Sequence, residues 1–230
     1  MRLVVFGANG PTGRQVTEQA TAAGHTVTAV TRHPDAFPPG GPQLRVERAD
    51  VLDGPAVERA VAGHDAVISA LGVPYGRNPV TVYSTGLTHI TRAMTHHGIR
   101  RLVCVSSTIL FDVPAPGEGV FFRKILEPFF ARIVGRTVYD DMRRMEDIVR
   151  ASGHDWTVLR PAGLFDTGEV SDYRTAPARL PGRFTARADL AHALVREAVG
   201  HGHPRTFLDV RTTEGTPSLT DLIRKEAFGK

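Results

Sequence analysis

Apolar and polar positions along this chain switch between two periods, and each switch marks an element. Residues 3–6 (LVVF) are an uninterrupted apolar run, the pattern of a strand buried on both faces. From Thr12 the spacing turns helical through Val16, Ala20 and Ala23 and stops at Gly24. Residues 25–31 (HTVTAVT) alternate and are β-branched, which predicts a second strand. Residues 35–42 (DAFPPGGP) read as a loop, and residues 44–47 as a short third strand leading into Asp50. A short helix is predicted over 54–62 with Asp53 as its cap. Residues 65–70 (DAVISA) predict a fourth strand, 80–97 a longer helix ended by Gly98, and 101–107 (RLVCVSS) a fifth strand.

The carboxyl half is less regular. Residues 120–135 (VFFRKILEPFFARIVG) are amphipathic, and Pro128 predicts one kinked helix or two short ones. A helix is predicted over 139–152, a sixth strand over 156–159 and a short strand over 173–176. A helix over 188–199, a strand over 206–210 and a terminal helix over 219–227 complete the pattern. Strands alternating with helices imply parallel crossovers, so the expected class is α/β with a doubly wound, mostly parallel sheet. Residues 1–230 show neither a repeat nor a linker, and one domain is expected. Residues about 108–136 and 163–184 would form a small helical or irregular cap on the substrate side.

In such sheets the ligand lies beyond the carboxyl ends of the strands, where their order reverses. The segments there are 7–13, 31–33, 50–52, 70–72 and 106–108. Gly7, Gly10 and Gly13 stand between the first strand and first helix, the context that makes a glycine motif a phosphate cradle. Gly7 lets the chain leave the strand sharply, Gly10 lets backbone N–H groups approach a pyrophosphate, and Gly13 lets the helix approach the sheet. An acid ending the second strand would bind the ribose hydroxyls of NAD; here Arg32 stands there and Asp35 lies beyond Pro34. A planar, permanently charged guanidinium suits a 2′-phosphate, so NADP(H) is preferred over NAD(H). Arg14 is a second phosphate candidate.

Charge and composition narrow the picture. A net charge of +4 with pI near 9.6 favours anionic ligands mildly, but the basic residues are scattered and follow no nucleic-acid-binding pattern. Charged, Pro or Gly residues interrupt every apolar run before it reaches membrane length, and no signal sequence is read at the amino terminus. The single cysteine, Cys104, excludes an internal disulfide, fits a cytoplasmic setting, and is expected to be buried and inert.

GANGPTG, VTRHP, ADVLD at 49–53, DAVISALG at 65–72, VSS at 105–107 and MRRMEDIVRASGHDWTVLRP resemble the atypical short-chain dehydrogenase/reductases. More narrowly they resemble the NAD(P)H-binding, NmrA-like group that includes biliverdin reductase B, or flavin reductase. The match runs in order from residue 1 to about residue 198. The resemblance implies a Rossmann fold and NADP(H) binding. It implies that Gly7, Asn9, Gly10, Pro11, Thr12 and Gly13 hold the pyrophosphate and that Arg32 meets the 2′-phosphate. Asp50 and Val51 would flank adenine, with Asp50 accepting from its exocyclic amine. Ala70, Leu71 and Gly72 would line the ribose, Ser106 and Ser107 would face the nicotinamide side, and Pro161 and Ala162 would contact its end.

Two departures bear on chemistry. The better-known members of the family pair Ser with Tyr-x-x-x-Lys, where lysine lowers the tyrosine pKa. The corresponding stretch here is Tyr139-Asp-Asp-Met-Arg143, and arginine exchanges no proton in a useful range. Biliverdin reductase B carries a histidine where this chain has Ala162, so the resemblance does not carry biliverdin over as substrate. Ser107 is the leading catalytic residue, as a hydrogen-bond donor to the acceptor, with Tyr139 a weaker proton donor.

No metal is expected: His96 and His97 are neighbours on a helix and should point apart. His201 and His203 have no nearby acidic partner in sequence, and Asp140, Asp141, Glu146 and Asp147 should pair with Arg143 and Arg144. Phe121, Phe122, Phe129 and Phe130 make an apolar face that is a packed cap helix, a wall for a planar apolar substrate, or a membrane-surface or subunit contact. The expected function is NADPH-dependent hydride transfer to a flavin, quinone or similar conjugated small molecule. The alternatives are an NADP(H)-binding regulator without turnover and an NADP-dependent isomerase. A homo-oligomer is compatible with either.

Overall fold

The computed structural model describes residues 1–76, 78–111, 113, 115–117, 135–200 and 202–217. The helices expected over 120–135 and 219–227, with the phenylalanine-rich face, lie outside the described residues except for Gly135, and so does His201.

Ten strands and five α-helices are described. β1 (Arg2–Phe6), α1 (Pro11–Ala22), β2 (Thr26–Thr31), β3 (Leu44–Arg48), α2 (Gly54–Val61) and β4 (Ala66–Ser69) build the amino half. α3 (Val82–His96), β5 (Arg101–Val105), α4 (Arg136–Ala151) and β6 (Asp155–Pro161) continue the alternation. β7 (Gly163–Phe165), β8 (Tyr173–Ala176), β9 (Phe184–Ala186), α5 (Arg187–Val199) and β10 (Thr206–Thr212) follow. Eight strands form one sheet in the order β3-β2-β1-β4-β5-β6-β10-β8, parallel except for β8, which runs antiparallel to β10. β7 and β9 pair in parallel as a separate two-stranded sheet. This is the doubly wound Rossmann arrangement, with the order reversing between β1 and β4.

The strict period of two explains both layers. Val4 and Phe6 of β1, Val67 of β4, Leu102 and Cys104 of β5, and Val158 of β6 face α2, α3 and α4. Leu3, Val5, Ile68, Val103, Leu159 and Leu208 face α1 and α5 on the other side. Cys104 is fully buried, and burial pushes its thiol pKa far up, so it behaves as an apolar core residue.

α3 has no side-chain cap of its own, and α4 supplies one. The fully buried Asp141 accepts from the Tyr83 N–H at 2.9 Å, the Ser84 N–H at 3.3 Å and the Ser84 hydroxyl, while Arg144 balances it at 3.0 Å. A carboxylate on the unsatisfied N–H groups of a helix start locks α3 to α4.

Several boundaries differ from the sequence pattern for local reasons. β5 leaves the ladder at Val105, because Ser107 caps a 3-10 turn over Thr108–Leu110. α4 starts at Arg136 behind Gly135, three residues ahead of the expected start. β6 runs to Pro161, which aligns with Val210 of β10. The segment expected to be an irregular cap opens with β7 and closes into β9.

Candidate functional site

The turn between β1 and α1 is held by close backbone contact. Gly7 has φ +74°, and a Cβ there would lie 2.5 Å from the Ala70 carbonyl oxygen. A Cβ on Gly13 would lie 2.1 Å from the Gly7 carbonyl oxygen. Both positions therefore demand glycine for the fold itself. Gly10 differs: its N–H donates to the Gly7 carbonyl at 3.0 Å, and a Cβ there would meet only that same oxygen at 3.3 Å. Pro11 opens α1, Gly10 offers no side-chain cap, and the first turn holds no acid, which leaves a positive helix end for an anion. Thr12 is half-buried beside it. Asn9 accepts from Arg14 Nε at 3.0 Å and Nη2 at 2.7 Å, and Arg14 also reaches the Ala36 carbonyl at 3.1 Å. The start of α1 is thus joined to the loop after β2.

Arg32 stands exposed at the end of β2, with no ion pair among the described residues. The neighbouring acid, Asp35, is engaged by Arg48 at 3.1 Å, and Arg48 also donates to the Arg32 carbonyl at 3.2 Å. Arg14, Arg32 and Arg48 together make a basic rim around the end of β2.

The next wall is apolar. Val51 is buried, and a Cβ on Gly86 would come within 2.8 Å of its Cγ2 and 3.2 Å of Leu71 Cδ1. Gly86 was not singled out by the sequence pattern; small size in mid-helix, costly by propensity, is the signal that could have found it. Ala70 is buried against Gly7, Leu71 is half-buried and Gly72 exposed. Asp50 is half-buried, with Oδ1 accepting from the Leu52 N–H at 2.9 Å.

At the end of β5 the two serines part company. Ser106 is buried and donates to Glu146 Oε1 at 2.7 Å, so its hydroxyl is turned to α4. Glu146 also holds Arg160 in a two-pronged pair at 2.9 and 2.5 Å, and the Arg160 guanidinium lies over the Phe111 and Phe207 rings at 4.5 and 4.2 Å. Ser107 is half-buried, accepts from the Ile109 N–H at 3.3 Å, and lies close enough to the Tyr139 phenol to draw its pKa down. That pull is outweighed: burial first, then Tyr75, pushes the Tyr139 phenol well above the ordinary tyrosine range. Arg143 does not take the place of a lysine, because it is turned to Asp140 at 3.0 Å on the exposed side of α4. Pro161 is buried and the Ala162 N–H donates to Thr185 Oγ1 at 3.0 Å, fixing the end of β6 against β9.

Four expectations need correction. Of the acids expected to pair with Arg143 and Arg144, Asp140 and Asp141 do, but Glu146 pairs with Ser106 and Arg160, and Asp147 pairs with Arg150 at 3.3 Å. His203 has an acidic partner, Glu197 at 3.0 Å, brought close by the fold. His96 and His97 do not point apart: both reach Glu58 Oε1 on α2, His97 at 2.9 Å. His97 is already the cap residue (φ −91°, ψ 5°), so the helical angle between neighbours no longer applies.

Comparison with known proteins agrees with this fold. A family model described as NAD(P)H-binding matches residues 7–199. An uncharacterized protein of Mycobacterium tuberculosis is 36% identical across 100% of this chain, which covers 28% of that protein. An uncharacterized chloroplastic protein of Arabidopsis thaliana is 31% identical across 71% of this chain, which covers 59% of it. The chain therefore spans less than two thirds of the length of these curated relatives. Among solved structures, a short-chain dehydrogenase/reductase of Veillonella parvula in complex with NADP superposes with TM-score 0.77 at 19% identity, covering 95% of this chain and 99% of that one. An anaerobilin reductase of Escherichia coli O157:H7 superposes with TM-score 0.72 at 22% identity, covering 95% and 100%.

Proposed function

This chain belongs to the NAD(P)H-binding family, and on that footing we propose that it is an NADPH-dependent oxidoreductase acting on a flavin, quinone or similar conjugated small molecule. The supporting observation is the convergence of the Gly7–Gly13 turn and Ser107 at the carboxyl ends of β1 and β5, one strand apart in the sheet, with Tyr139 of α4 beside Ser107. The uncapped start of α1 and the open side of Gly10 fit a pyrophosphate. Arg32, with Arg48 and Arg14 beside it, fits a 2′-phosphate. Val51, Ala70 and Leu71 make the apolar bed for adenine and ribose, with Asp50 at its edge, and Pro161 and Ala162 close the nicotinamide end.

When bound, the nicotinamide supplies hydride. The protein's part is to orient the acceptor and exclude water. Ser107 donates a hydrogen bond to the acceptor's oxygen or nitrogen. The Tyr139 phenol, kept neutral by burial, holds the Ser107 hydroxyl in place rather than acting as a ready acid. Flavins and quinones take their proton from solvent, so this reaction needs no dedicated acid. Residues about 108–136 and 163–184 would complete the substrate side.

Saturable NADPH oxidation at 340 nm with FMN, riboflavin or quinones, reduced in Ser107→Ala, is the expected result. One observation favours a second reading: Arg143 is turned to Asp140, and no cation is paired with the Tyr139 phenol among the described residues. Tight NADPH binding with no oxidation of any acceptor would favour a redox-sensing regulator instead.

A further inference from the structure

We propose that Glu58, His96 and His97 form a zinc site that staples α2 to α3. Among the described residues these are the one set of three potential ligand groups that lie together: Glu58 Oε1, His96 Nδ1 and His97 Nε2 all fall within 4.8 Å of one another. Two neutral imidazoles and a carboxylate are the donor types that zinc takes, with water in the fourth position. A tetrahedral zinc holds its ligand atoms roughly 3.3 Å apart, so small side-chain rotations close the set. The backbone does the rest. His96 is the last residue of α3 and His97 its cap, and Gly98 (φ +67°) then turns the chain away, so both rings overhang the helix end, 4.9 Å apart by centroid. Glu58 comes to them from α2 across the α2–α3 packing.

The site lies where α3 leads into the amino end of β5, at the opposite end of the parallel strands from the Gly7–Gly13 turn, which follows the carboxyl end of β1. It therefore serves stability rather than hydride transfer, and it stands independently of the proposed reaction. Arg92, one turn back on α3, acts on Glu58 as well and tempers the affinity for a dication.

The test is calorimetric titration of untagged, chelator-treated full-length protein with zinc chloride at pH 7.5, alongside thermal melts. Uptake saturates at one zinc per chain and raises Tm as zinc is added. His97→Ala and the near-isosteric Glu58→Gln each weaken uptake by at least about tenfold, while His192→Gln leaves it unchanged. Uptake that is unsaturable, or equal in Glu58→Gln and wild type with both folded by circular dichroism, overturns the site.

Discussion

The phenol oxygens of Tyr75 and Tyr139 lie 2.8 Å apart, joining an exposed loop residue to a buried residue of α4. The loop is tied down just beyond this contact, by Thr137 donating to the Gly76 carbonyl at 3.0 Å and Arg144 to the Val80 carbonyl at 3.0 Å. Ser107 thus faces a tyrosine pair fixed by hydrogen bonds rather than a tyrosine activated by a lysine.

A first prediction concerns alkaline pH. Burial pushes the Tyr83 phenol up to about 12 and the Tyr139 phenol further still. Their folded pKa values exceed the unfolded value of about 10, so their contribution to stability is whole below pH 10 and is lost as pH rises through the folded values. Absorbance at 295 nm should show that at least two of the four tyrosines, Tyr83 and Tyr139, resist ionisation in the native protein until it unfolds, and burial pushes the Tyr173 phenol up as well. Denaturant midpoints should fall steeply above pH 10, and less steeply in Tyr139→Phe. Ionisation of all four near pH 10 in still-folded protein would sink the claim.

The same pair separates two catalytic roles. If Tyr139 only positions Ser107, Tyr139→Phe should cost less than about tenfold in kcat, short of the 10²–10⁴-fold usual for a lost general acid. Ser107→Ala should cost more than Tyr139→Phe with the same flavin or quinone. A loss above a hundredfold in Tyr139→Phe would instead make the phenol the proton donor.

The alternation of strands and helices and the glycine turn after β1 were legible because periodicity and glycine spacing are local: residues 3–24 alone predict a strand, a turn and a helix close to those observed. β7 and β9 were not, because three-residue strands such as Gly163–Phe165 carry no period to read. Long-range partners were equally invisible. Glu146 looks like one more acid on a charged helix, yet residues 40 and 14 positions away in sequence claim it. His97 reaches Glu58 across two packed helices, where sequence shows only adjacent histidines.

The glycines of the turn should separate binding from folding. Gly13→Ala places a methyl 2.1 Å from the Gly7 carbonyl oxygen and should destabilise the protein by about 3 kcal/mol or more. Gly10→Ala meets one oxygen at 3.3 Å, so it should fold with a small loss of stability while weakening NADPH binding. Melting curves and NADPH fluorescence titrations on both variants measure the two effects. Equal losses of stability would refute the distinction.

Arg32→Ala should discriminate between the dinucleotides. A charge-assisted hydrogen bond to a phosphate contributes about 1.5–3 kcal/mol, or roughly 10- to 100-fold in Kd. NADPH affinity should fall by that factor while NADH affinity stays within about twofold, because only NADPH carries the 2′-phosphate. A parallel fall for both would move Arg32 from specificity to general electrostatics. A smaller fall that deepens in the Arg32→Ala/Arg48→Ala double variant would place part of the phosphate contact on Arg48.

Ser106, Glu146 and Arg160 make the last prediction, because they anchor the strand end that carries Ser107 without offering a hydroxyl to the ligand. Removing the carboxylate in Glu146→Ala leaves the buried Arg160 charge unpaired and the Ser106 hydroxyl without its acceptor, at a cost of about 3–5 kcal/mol. Replacing both charged partners with methionine should recover much of that loss, since two apolar side chains need no mutual compensation. Phe111 and Phe207 already provide apolar surfaces on which a methionine at position 160 can pack. Denaturant unfolding of the single and double variants measures the recovery. Restored stability with NADPH affinity intact but turnover still depressed would show that the ion pair serves to aim Ser107. Restored stability with full turnover would confine it to the fold.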